Sequence, residues 1–130
     1  MSANNAAVVV RTLLTGASAV AGLVAGRIYP NEAPADADLP LIVYGVRLLE
    51  AVDGSAPVAP ATVDVHCYAA TDDAAQALAV AADGAVEGRG GTYSGTIVQA
   101  LTNERWEDAR DAEMQLWGRL LRYSAVVVRG

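Results

Sequence analysis

The clearest pattern in the chain runs from Ala61 to Ala69. Val63, Val65, Cys67 and Ala69 hold one phase; Thr62, Asp64, His66 and Tyr68 hold the other. A period of two predicts a strand with one side on a core and the other toward solvent or a partner. Residues 41–49 are mostly apolar, which suits a central strand covered on both faces. Between these runs, residues 50–60 (EAVDGSAPVAP) read as a hairpin loop. Asp53-Gly54 supplies the turn, and Pro57 and Pro60 stop regular pairing.

The period then changes. Thr71 is placed to cap a helix over residues 72–87, with Asp72 and Asp73 in the first turn, where the helix dipole favours negative charge. Ala74, Leu78, Ala81, Ala82 and Ala85 form its predicted apolar stripe. Such a helix is ~24 Å long, and its alanines allow close approach to a sheet. Gly88 to Gly91 end it. Residues 92–101 are predicted as a strand containing Tyr93, Ile97, Val98 and Leu101. Residues 114–128 are predicted as a long final strand, with Trp117, Leu121 and Tyr123 on one face. Between them, residues 102–112 (TNERWEDARDA) read as a charged connector around Trp106.

Toward the N-terminus, residues 4–14 read as a helix with Val8, Leu13 and Leu14 among its apolar positions. Thr15-Gly16 breaks it, Ser18 is placed to cap a second helix from Ala19 to Ala25, and Gly26 stops that helix. Arg27 to Pro30 is extended, because Tyr29 precedes a proline. A loop set by Pro30, Pro34 and Pro40 leads into the strand at Leu41. The order α-α-β-β-α-β-β predicts an α+β fold: a mostly antiparallel sheet of four to five strands with helices packed on one face. With 130 residues, the expectation is a single domain over 1–130.

Charge and cysteine content narrow the partners. The net charge is -6, and the nine basic residues form no run. That argues against binding by phosphate neutralisation and against docking on an anionic membrane. Thr12 to Gly26 is free of charge but spans only fifteen residues, short of the ~20 that a spanning helix needs. Extending it backward brings in Arg11. Met1 to Asn5 carries no basic residue, so no signal peptide and no membrane association are expected. Cys67 is the lone cysteine, which excludes an intramolecular disulfide.

Candidate chemistry is sparse. His66 and Cys67 are adjacent, yet neighbours on a strand point to opposite faces, and no other His or Cys completes a metal site. Gly88-Arg89-Gly90-Gly91 follows a helix, whereas phosphate loops precede one. Ser94 lacks nucleophile-elbow spacing and a second histidine as base. No catalytic residue, metal site or cofactor is expected. The acidic stretch 102–112 leaves a small enzyme or ligand-binding domain as a reading of a different class. Within it, Trp106 is either a partner anchor flanked by Arg105 and Arg110 or a side chain folded over its own core; tryptophan and arginine are enriched at binding hot spots. The candidate interface residues are Asp53, His66, Tyr68, Arg105, Trp106, Glu107 and Arg110.

Taken in order, several segments resemble the tail-completion (tail-terminator) family of long-tailed phages and gene transfer agents. They are the Ala/Leu-rich helical start, Arg27-Ile-Tyr-Pro30, Pro34, and Leu39-Pro-Leu-Ile-Val-Tyr44. Val63 to Ala69, the Ala-rich segment from Asp72 to Val86, and Asn103-Glu104-Arg105 continue the series. The last strand departs from the pattern, ending in Ser124-Ala-Val-Val-Val where the family often has an aromatic cluster. The resemblance implies a virion assembly protein made in the host cytoplasm and located at the tail–neck junction. There it would form a ring, typically a hexamer, on the tail tube, meet the tail tube protein and a head-closure or neck protein, and let DNA pass through its lumen. Another head–tail joining role is the nearest alternative.

Overall fold

The computed structural model describes residues 3–49, 57–111 and 115–129. Its elements are α1 (Ala3–Thr15), α2 (Ser18–Val24), β1 (Ile28–Pro30), β2 (Leu41–Leu48), β3 (Val58–Ala69), α3 (Asp72–Val86), β4 (Gly91–Tyr93), β5 (Thr96–Val98), β6 (Thr102–Asp111) and β7 (Leu116–Arg129). The α+β class, the helical face and the mostly antiparallel sheet are as expected. The sheet, however, has seven strands, not four to five.

Its order is β1-β2-β3-β7-β5-β4, with β6 also paired to β7. β1 runs parallel to β2 and the other pairings are antiparallel. β7 pairs with β3 along one edge, from Val58↔Val128 to Ala69↔Trp117. Its other edge is shared: β6 takes the first part and β5 the last.

Odd-numbered residues of β3 and β7 face the helices. Val63, Val65, Cys67, Leu121 and Tyr123 are essentially inaccessible and meet Leu14, Val20, Val24, Leu78, Ala79, Ala82 and Val86. Burying a branched aliphatic side chain contributes about 1.5–3 kcal/mol, so this layer supplies most of the folding force. Thr71 caps α3 as expected, accepting a hydrogen bond from the Ala74 backbone N–H. The buried stripe of α3 is Ala75, Leu78, Ala79, Ala82, Ala85 and Val86. It is turned from the predicted stripe: Ala74 is exposed and Ala81 only half-buried.

Four local expectations give way. Ser18 is the first residue of α2, and Ala17 holds the cap position with no side-chain bond. β3 begins at Val58, so Pro60 lies inside a strand. The Pro60 carbonyl accepts from Leu49 N–H, so its missing donor faces the side where β2 has just ended, and the β7 ladder is untouched. Residues 92–101 fold as a hairpin, β4–β5, because Ser94 (φ 48°) and Gly95 (φ 80°) form a left-handed two-residue turn. Finally, most of the charged connector at 102–112 is a strand, β6. The Asp53-Gly54 turn lies outside the described residues.

No single helix among the described residues is long and apolar enough to cross a membrane; α1 and α2 meet at 85°.

Candidate assembly interface

The sheet face away from the helices has three zones, laid out along β3. At the Tyr68 end, the loop 31–40 folds over Leu41 and Val43, which are buried. Arg27 closes this loop by donating from Nε to the Pro40 carbonyl at 2.9 Å. The proline run from Arg27 to Tyr44 therefore builds a partial second layer. Tyr68 and His66 stack here, with ring centroids 6.1 Å apart and planes 9° apart. Gly118 makes room: a Cβ there would come within 3.2 Å of the Tyr68 ring.

The middle zone is charged. Arg122 forks onto Asp64 at 2.8 and 3.3 Å. Arg105 and Glu107, on the same face of β6, pair at 3.1 Å. At the third zone, the Val58 end, Val58, Val126 and Ile97 are exposed, with exposed Arg47 of β2 in register with Thr62 beside them.

β6 is the unusual element. Of its ten residues only Asn103 is part-buried; the rest are exposed. Its only strand partner among the described residues is β7, its start is tied by the Asn103 backbone N–H donating to Glu87 at the end of α3 at 2.6 Å, and the rest projects as a flange with both faces exposed. Trp106, Asp108 and Arg110 are in register with Leu121, Arg119 and Trp117 and therefore share the helix-side face. Trp106 is 40% exposed. Arg110 lies 4.3 Å over the Trp117 ring, a cation–π contact that orients the guanidinium.

Arg119 fastens the flange. It is 6% exposed although charged. Its guanidinium donates to Asp72 in the first turn of α3 and to Gln76, and pairs with Asp108 of β6 at 3.1 Å. The hydrogen bond to Asp72 raises the pKa further against the opposing effect of burial, so Arg119 stays charged. Sequence reading passed over this residue. The available signal was its phase: an arginine in the core-facing register of a strand demands carboxylate partners.

The structure therefore gathers Arg105, Trp106, Glu107 and Arg110 on one strand, split between its two faces. His66 and Tyr68 sit together, half-buried, on the sheet face away from the helices, and Asp53 lies outside the described residues. The carboxylates of 102–111 do not converge as a loop site would: Glu107 and Asp108 point to opposite faces. No cluster of three metal-ligating side chains occurs among the described residues. Cys67 is fully buried, and desolvation pushes its thiol up to about 12.

A profile of the family described as tail completion protein gp17 matches residues 8–128, which is nearly the whole of this fold. The chain belongs to the tail completion protein family. A solved chain from the virion of a native gene transfer agent particle has the same fold, with a TM-score of 0.81 and 20% identity. The alignment covers 97% of this chain and 96% of that one. No curated protein matches the sequence. For a tail completion protein, the exposed β6 flange and the zoned sheet face are the surfaces to weigh as contacts.

Proposed function

We propose that this tail completion protein is a non-enzymatic virion component that forms a hexameric ring on the head-proximal end of a tail tube. The ring ends tube polymerisation and presents a surface to a head-closure or neck protein. The family match over residues 8–128 carries this reading. The fold supports it: β6 exposes both of its faces, with Trp106 40% exposed on the helix-side face in line with Asp108 and Arg110, as a partner anchor should be. We assign β6 to contact with the tube or neck protein.

DNA passes the lumen without specific contacts, because a net charge of -6 offers phosphates few partners. A lumen lined by arginine side chains would sink this point.

Light scattering and negative-stain imaging, with and without purified tail tubes, provide the test. Six-fold rings free in solution, or caps on tube ends, support the reading. A chain that stays monomeric with tubes present refutes it, and binding to heads but not tubes reassigns it to head–tail joining.

A further inference from the structure

Backbone groups of successive strand residues point to alternate sides, so the phase of a ladder decides which residues face outward. On β7 that phase is fixed by two bonds. Pro60 lies opposite Val126 and turns its carbonyl toward β2, where it accepts from Leu49 N–H. Val126 turns its own carbonyl the other way, to Gln99 N–H. The β3–β7 register is unbroken from Val58↔Val128 to Ala69↔Trp117, so even-numbered residues of β7 address the side where β6 lies. Arg122, Leu120 and Gly118 therefore bond Arg105, Glu107 and Ala109. Trp106, Asp108 and Arg110 turn their N–H and C=O groups away from β7, and no group among the described residues bonds them.

The same edge is filled where the chain itself can reach it. Thr102 pairs with Ser124, so Leu101 and Asn103 also face outward. The Leu101 carbonyl accepts from Gly88 N–H at 2.7 Å, and Leu101 N–H donates to the Arg89 carbonyl at 2.9 Å. Asn103 N–H donates to the Glu87 carboxylate at 2.6 Å. Past the register shift between Asn103 and Arg105, this covering stops. The usual guards of a strand edge are proline and outstanding charge. β6 has no proline, and the charges around the open positions are engaged within the domain: Asp108 with Arg119, Arg105 with Glu107, Arg110 over Trp117.

Resting on the assignment of β6 above and deepening it, we infer that β6 receives its partner by strand addition: an extended segment of a different virion protein pairs with the outward backbone of Trp106, Asp108 and Arg110. A row of alternating donors and acceptors is answered by another extended backbone. On the helix-side face, a neighbouring apolar side chain of the added strand covers Trp106, which is 40% exposed. Pairing of β6 with β6 of a second copy would be two-fold and would close a dimer, not a ring, so the added strand belongs to another protein.

Quenched hydrogen exchange read by NMR tests this on the full chain, free and bound to purified tail tubes or heads, whichever it binds. On binding, the amides of Trp106, Asp108 and Arg110 should slow by about tenfold or more, while those of Arg105, Glu107 and Ala109, already bonded to β7, change less. A bound chain whose three outward amides exchange as in the free chain overturns the inference and leaves the ring reading standing. Slowing of the same amides in the free chain as its concentration rises would give the edge to a second copy and also overturns it. In co-sedimentation, Arg110→Pro removes one outward donor and spares the β7 ladder, whereas Arg110→Ala removes the side chain and keeps the donor. Arg110→Pro should bind about tenfold more weakly than Arg110→Ala; equal binding by two folded variants overturns the inference. The exchange measurement needs no variant, so it decides the matter if Arg110→Pro fails to fold. A chain that binds neither tubes nor heads overturns the assembly reading with it.

Discussion

Alkaline pH should destabilise this domain, and Cys67 should account for most of the loss between pH 8 and 10. The thiol sits at the centre of the sheet's covered face, fully buried, opposite Ile42. Burial pushes it from 9.0 to about 12. In the unfolded chain it releases its proton near pH 9; in the folded chain it keeps it. Above pH 9 the folded state therefore binds more protons, and rising pH favours unfolding. The stability is fully present below pH 9 and falls by about 1.4 kcal/mol for each pH step above it. At pH 10 the loss from Cys67 is about 1.4 kcal/mol. Tyr123, also buried and raised from 10.0, adds about 0.4 kcal/mol there and more at higher pH. Urea unfolding at both pH values, followed by the fluorescence of Trp106 and Trp117, measures the difference. Cys67→Ala will start less stable, because it opens a small cavity, but should lose only the tyrosine share. Equal losses in wild type and variant would refute the reasoning, since the folded protein would then be tolerating the thiolate.

Other substitutions probe the fold and the flange. Tyr123→Phe removes the 2.6 Å hydrogen bond to Asp83 and should cost about 1.5 kcal/mol in urea unfolding. Arg119→Ala should cost about 2–4 kcal/mol and speed amide exchange along β6, because it removes the clasp to α3. Asp108→Asn, at a carboxylate 84% exposed, should cost under about 1 kcal/mol by the same measurement. Trp106→Ala should weaken tube or neck binding in co-sedimentation while costing under about 2 kcal/mol of stability; a larger drop would mark Trp106 as core.

Elements whose residues face two environments were legible in the chain. β3 announced itself because Val63, Val65 and Cys67 alternate with Asp64, His66 and Tyr68, and α3 because Thr71, Asp72 and Asp73 mark its start. β6 was not legible. Both its faces are exposed, so Asn103 to Asp111 carry no period-two signal, and only the ladder to β7 makes it a strand. The turn at Ser94-Gly95 was hidden for a different reason: its left-handed geometry is less often signalled by serine than by asparagine or aspartate. Of the candidate site, the cluster around Trp106 could be named, but not its division between two faces. That division depends on register with β7. The Arg119 clasp joins residues that are 47 positions apart, a distance at which spacing says little.

β7 also sets the order in which the chain can complete itself. Its partners β3, β5 and β6 all precede it, and Val58 meets Val128. Until β7 arrives, β3 has a bare edge in a Val-rich segment and β6 has no partner at all. Such an edge is a template for pairing with another chain. Long-range ladders also close slowly, because loop entropy is lost before contacts form. Refolding yield should therefore fall as protein concentration rises, even where equilibrium stability is ample. During synthesis the sheet stays open until its last-made long strand closes it, so crowding of nascent copies, rather than weakness of the finished fold, is the condition under which this protein is most exposed to misassembly.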